Sequence, residues 1–307
     1  MPWSPARTTE TLVERALGPV WEANHVWLIL SIVLLFSGFP EAFGALCVAL
    51  AIPLLLVLLG IVLRGCSFVF RSYFTGERRT QLYWGKVFSI SSSMTPLFLG
   101  ILIGAISGDR VIMNRGISEN GFLNTWIFPF PIAVGILALS LFAYLSACYL
   151  AVEAGNTALE DDFRFRALIS GAVSIAMALA TYALAGTSAT AIREGLSNRP
   201  AAWVAEVCAF GAAIVAFRGL WLRRLRQARI AAAAQVALIV TGWGIAQYPY
   251  LIRPGFTITN SAAPMNVAEA LDIALCCGAI VLIPSLTVLF VVFKTTRNTG
   301  QVLPEKD

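Results

Sequence analysis

The chain has 307 residues, of which 58% are hydrophobic and only 13% charged, with a net charge of +5 and a mean hydropathy of +0.77. Soluble domains are about a quarter charged, so this composition excludes an ordinary soluble fold, and its apolar excess excludes intrinsic disorder. A helical integral membrane protein is the class that remains.

Residues 1–20 are polar and mixed, without an apolar stretch of signal-peptide length. Thr8 or Thr9, followed by Glu10 and Glu14, is positioned to cap a short surface helix. Eight apolar stretches then approach the roughly 20 residues that cross a hydrocarbon core. They are expected at residues 25–39, 44–63, 87–106, 126–150, 167–185, 202–222, 230–250 and 268–293. The first two are expected to be joined by a short turn of sequence FPEAFG, residues 39–44. A membrane barrel would instead show alternating segments of about ten residues. The fold class predicted is therefore all-α and membrane-spanning, with about eight transmembrane helices.

Orientation follows from the positive charges. With the N-terminus placed inside, seventeen of the 22 Lys and Arg residues fall in cytoplasmic segments. Arg110, Arg115, Arg193, Arg199 and Arg253 fall outside. The tightest basic cluster, Arg223, Arg224, Arg226 and Arg229, directly follows an apolar stretch, as a membrane flank does. With no longer basic run, no nucleic-acid partner is expected. The expected organisation is a cytoplasmic segment 1–20, a transmembrane domain 21–294 and a cytoplasmic tail 295–307.

Charges near a membrane are functional suspects. Glu41, Glu153, Glu269 and Asp272 lie near expected span ends, where contact with water explains them; Glu206 lies deeper, and function and interfacial placement weigh equally there. Residues 21–27, Trp-Glu-Ala-Asn-His-Val-Trp, put two indoles, a carboxylate, an amide and the only histidine at the start of a span. Interfacial anchoring explains the indoles. Glu22, Asn24 and His25 could in addition hold protons or water in a partly desolvated place. A single histidine cannot supply a bis-histidine haem site, and the five methionines show no pairing pattern. The six cysteines form no CxxC and no Cys/His metal spacing. No phosphate loop, dinucleotide fingerprint or nucleophilic triad is present.

Several strings, in order, resemble one family. GPVWEANHVWLI at 18–29 resembles the Trp-Asp/Glu-Gly/Ala-Asn motif of subunit II of cytochrome bd-type quinol oxidases. LVLLGIVLRGCSFVFR at 56–71 is similar to that family's arginine-capped helix end, with Arg64 as the arginine. GWGIAQYPYLI at 242–252 is similar to its late Gly-Trp-Gly-x-x-Gln-Tyr-Pro-Tyr signature and is the most specific match. ITNSAAP at 258–264 and IPSLTVLFVVFK at 283–294 resemble its last helix and the loop before it.

The resemblance implies two four-helix bundles plus one helix, nine spans in all. This chain begins where the first of these should have ended, through a late-assigned start or a shortened variant. The resemblance also implies a function: a haem-free subunit of an enzyme that oxidises quinol and reduces oxygen to water. Haems b and d are then expected on a partner subunit I in the bacterial inner membrane. It leaves room for a structural quinone and a small accessory subunit. Glu22 falls at the motif carboxylate linked to proton entry, with Asn24 and His25 beside it. Trp27 matches a tryptophan near the subunit interface and an oxygen path, although plain packing explains it more simply. Trp21, Arg64, Trp243, Gln247, Tyr248 and Pro249 are expected to be structural. Two other readings stay open: a secondary transporter and a scaffold without a proton role. Pro96, Pro129, Pro131 and Pro284 interrupt spans, but not in the paired positions of an inverted repeat.

Overall fold

A computed structural model of the chain describes residues 27–73, 78–114, 117–118, 121–155 and 158–295. These fall into two compact units, residues 41–261 and residues 27–40 with 262–295. Among the described residues seven helices are long and apolar enough to cross a membrane, or eight if one broken pair counts as a span.

The larger unit contains α2 (Pro40–Ala49, all but its first residue), α3 (Ala51–Tyr73), α4 (Arg78–Ser107), a two-stranded ribbon β1 (Met113–Asn114) and β2 (Ile117–Ser118), and α5 (Gly121–Asn124). It continues with α6 (Pro129–Ala154), α7 (Ala158–Ser188), α8 (Thr190–Asn198), α9 (Pro200–Trp221) and α10 (Leu225–Gln247). A second antiparallel ribbon, β3 (Tyr250–Ile252) and β4 (Phe256–Thr257), ends the unit. The sequential pairs α3–α4, α6–α7 and α9–α10 pack together, and α6 also packs on α4 and α10.

Small residues make these contacts possible. Helices in lipid gain little from burying apolar surface against each other, so close backbone approach and van der Waals packing hold them. At the α4–α6 crossing a Cβ on Gly100 would lie 2.7 Å from the Gly135 Cα, and one on Gly104 would lie 2.6 Å from the Pro131 Cα. Gly100 and Gly104 are four apart and share a face of α4. On α9 the buried residues Ala202, Ala205, Ala209, Ala213 and Ala216 repeat at helical spacing. Together with Ala228, Ala231 and Ala232 of α10, Ala216 joins a core around Tyr144, Cys148 and Leu220.

The smaller unit contains α1 (Trp27–Gly38) and α11 (Met265–Thr295). The Ala263 amide donates to the Gly38 carbonyl at 2.8 Å, satisfying an acceptor at the end of α1. Ile273, Ile280, Val281 and Ile283 of α11 are exposed apolar side chains.

Several expected elements differ. The turn expected over FPEAFG narrows to Phe39, because α2 begins at Pro40 and carries the other five residues in helix; a proline is well suited to a helix's first position. The apolar run 44–63 is accordingly divided between α2 and α3 at Leu50. Leu50 donates to the Leu46 carbonyl and Leu54 to that of Leu50, so helical bonding continues on both sides. Pro53, in the first turn of α3, has no N–H for the carbonyl four residues before it. The seventh span ends at Gln247 rather than residue 250, and Tyr248 and Pro249 lead into the ribbon instead. The capping expected at Thr8 or Thr9 lies outside the described residues.

Candidate functional site

The late signature, residues 242–252, sits where α10 ends. A helix leaves its last carbonyls without partners in its own ladder. Here two arginines supply them. Arg199 Nη1 donates to the Ile245 carbonyl at 2.6 Å. Arg253 Nη2 donates to the Ala246 carbonyl at 3.0 Å and to that of Gln247 at 3.5 Å. Positive charge at this end also complements the helix dipole.

The same helix end is tied to α4. Trp243 Nε1 donates to Ser107 Oγ at 2.8 Å, and Ser107 Oγ donates to the Ile103 carbonyl at 2.7 Å. The Ile106 carbonyl accepts twice, from Gln247 Nε2 at 3.2 Å and from the Arg253 amide at 3.0 Å. Gln247 and Arg253 are 4% and 7% exposed, so these bonds are made away from water. Burial lowers the Arg253 pKa from its ordinary value, while Asp109 opposes that shift. The Tyr250 ring lies 4.6 Å from the Arg253 guanidinium. Tyr248 is exposed, with its ring centroid 6.0 Å from the Arg199 guanidinium carbon. Gln247 Oε1 and Arg253 Nε are buried without a protein partner. This assembly fixes two helix ends and a ribbon and brings no nucleophile or acid–base pair together.

The other expected site residues are dispersed. Trp21, Glu22, Asn24 and His25 lie outside the described residues. Trp27 opens α1 and is 49% exposed. Arg64 is not at the end of its helix, since α3 continues to Tyr73. The apolar run breaks at Arg64, but Phe68, Val69 and Phe70 carry the span on beyond it. Its guanidinium stacks over Phe88 of α4 at 5.7 Å, and its Nε is buried without a partner.

Among the carboxylates, Glu41 lies in the first turn of α2, and Glu153 faces Arg229 at 3.8 Å. Glu206 is half-buried in α9, while Glu269 and Asp272 are exposed on α11. Sequence reasoning placed Arg199 and Arg253 only as outer-loop charges and passed over Ser107. The one available signal was an arginine close behind a Gln-Tyr-Pro-Tyr string at a span end.

The donor set does not fit a haem among the described residues. The chain's one histidine precedes them, and no three His, Cys, Asp or Glu side chains gather where they could hold a metal.

Comparison with known proteins gives this arrangement a context. Residues 1–293 match the family described as Cytochrome bd terminal oxidase subunit II. A Bacillus subtilis (strain 168) protein provisionally named cytochrome bd menaquinol oxidase subunit II is 27% identical, over 89% of this chain and 80% of that protein. Cytochrome bd-I ubiquinol oxidase subunit 2 of Escherichia coli (strain K12) is 21% identical, over 97% of this chain and 86% of its own length. A chain in the structure of bd oxidase from Geobacillus thermodenitrificans superposes with a TM-score of 0.75 and 26% identity, covering 92% of this chain and 84% of that one. This multi-pass membrane chain belongs to the cytochrome bd terminal oxidase subunit II family, and is thereby a membrane subunit of a quinol oxidase.

Proposed function

We propose that this chain is the haem-free subunit that braces a haem-bearing subunit I, with haems b and d and the reduction of oxygen to water on that partner. The observation that carries this reading is the donor set: one histidine in 307 residues, and no candidate metal cluster among the described residues. The uneven distribution of Lys and Arg supports an inner-membrane protein with both ends cytoplasmic, a transmembrane domain over 21–294 and short flanks at 1–20 and 295–307.

A cytoplasmic proton route begins at Glu22, with Asn24 and His25 able to hold water beside it. A carboxylate at a cytoplasmic helix start takes a proton from bulk water and releases it inward, alternating between charged and neutral forms. The half-exposed Trp27 suits a surface that meets subunit I. Trp21, Arg64, Trp243, Gln247, Tyr248 and Pro249 serve packing.

The Glu22→Gln variant of the whole complex tests the route, because an amide cannot cycle a proton. Oxygen consumption driven by quinol should fall about a hundredfold, and proton uptake with it, while the complex still assembles. Normal turnover and uptake would sink the relay and leave a scaffold.

A further inference from the structure

The corner where α7, α8 and α9 meet carries an open cleft of about 330 Å³, lined by Gly186, Thr190, Arg193, Glu194, Ser197 and Asn198. It plays no part in the cap at the end of α10. α8 is amphipathic: Ile192 and Gly195 are buried, while Arg193, Glu194, Ser197 and Asn198 face outward. Such helices lie in the plane of a membrane interface. The inner face of α8 is seated on α10, where a Cβ on Gly195 would come within 2.7 Å of the Ala246 carbonyl oxygen. Tyr182 of α7 and Trp203 of α9 are exposed, as aromatic residues of an interfacial belt are. Further along the same helices, Leu179 and Phe210 offer exposed apolar surface.

The charged groups are held in fixed places. The Arg193 guanidinium lies over the Tyr182 ring at 5.2 Å from its centroid. It can lie flat there because position 186 is glycine; a Cβ at that position would collide with Arg193 Nη1. The Tyr182 hydroxyl and Ser197 Oγ are hydrogen-bonded at 2.8 Å, joining α7 to α8. Among the described residues Arg193 forms no ion pair; Tyr182 is its partner, and guanidinium N–H groups beyond that contact remain to meet an oxyanion. Negative charge is close by as well: Glu194 lines the cleft, and Glu206 lies on α9, which packs against α8.

A cation fixed on an aromatic face with carboxylates nearby matches a zwitterion better than a simple anion. We propose that this cleft holds the headgroup of a zwitterionic phospholipid with a primary ammonium. Arg193 and the Tyr182–Ser197 hydroxyls receive the phosphate, and Glu194 receives the ammonium. A trimethylated ammonium has no N–H to donate to Glu194, and an anionic glycerol headgroup has no positive charge to offer it.

The test uses the purified, delipidated oxidase complex and native mass spectrometry to count bound lipid. Phosphatidylethanolamine, phosphatidylcholine and phosphatidylglycerol with identical acyl chains are added separately, alongside soluble O-phosphoethanolamine. Wild type is expected to bind phosphatidylethanolamine about fivefold more tightly than the other two lipids, the worth of one interfacial charge pair. Arg193→Gln should lose one bound lipid per complex, and Glu194→Gln should abolish the headgroup preference while keeping the lipid. Equal retention of all three lipids by wild type overturns the proposal, and that arm needs no variant to fold. A preference for phosphatidylglycerol overturns it too, as does an undiminished lipid count in Arg193→Gln. Binding of O-phosphoethanolamine as tight as that of the intact lipid would assign the cleft to a free phosphoester and overturn the lipid assignment.

Discussion

Arg253 and Arg193 are two arginines of one compact unit put to opposite uses. Arg253 is buried; its amide and guanidinium bond three backbone carbonyls, those of Ile106, Ala246 and Gln247. Arg193 is exposed, lies on an aromatic face, and opens onto a polar cleft. The first side chain is buried and donates through Nη2 to carbonyls at a helix end, so its removal is felt by the fold. The second keeps its capacity for something outside the chain. Exposure and partner identity, rather than residue type, separate a structural arginine from a binding one.

The largest effect should come from Arg253→Leu. It leaves the Ala246 and Gln247 carbonyls without their charged donor in a site closed to water, at a cost of about 2 kcal/mol. A clear fall in the melting temperature of the purified complex is expected, and an unchanged melting curve would erase the contrast with Arg193. Trp243→Phe keeps an aromatic ring, though a smaller one, and removes the bond to Ser107 Oγ, for a loss of at least about 1 kcal/mol in the same measurement. Arg193→Gln should move stability by no more than about 0.5 kcal/mol, because an exposed side chain without an ion pair supports little of the fold. If its destabilisation equalled that of Arg253→Leu, Arg193 would be structural as well.

The sites differ also in how far they can be read along the chain. Trp243 and Gln247 stand out in GWGIAQYPYLI, and in the fold they bond to Ser107 Oγ and the Ile106 carbonyl. Their partners are about 140 positions away, and no local pattern points to Ser107 or to the Ile106 carbonyl. Arg253 reads as a loop charge until the fold folds it back over the end of α10. Nor is the break at Leu50 legible from hydropathy, because the residues on either side are equally apolar. Only the missing N–H of Pro53 hints at it.

Composition and span length by themselves determined that this protein is helical and membrane-embedded, because a hydrocarbon solvent leaves few ways to satisfy a backbone. The order of its motifs pointed to the oxidase family. The tertiary structure decided which helices touch, since Gly100, Gly104 and Gly135 mark close approaches only once α4 and α6 are set side by side. It also decided that Arg253 meets buried backbone carbonyls while Arg193 lies on an exposed aromatic ring. Charge is written in the sequence, but the partner of a charge depends on residues brought together from distant parts of the chain.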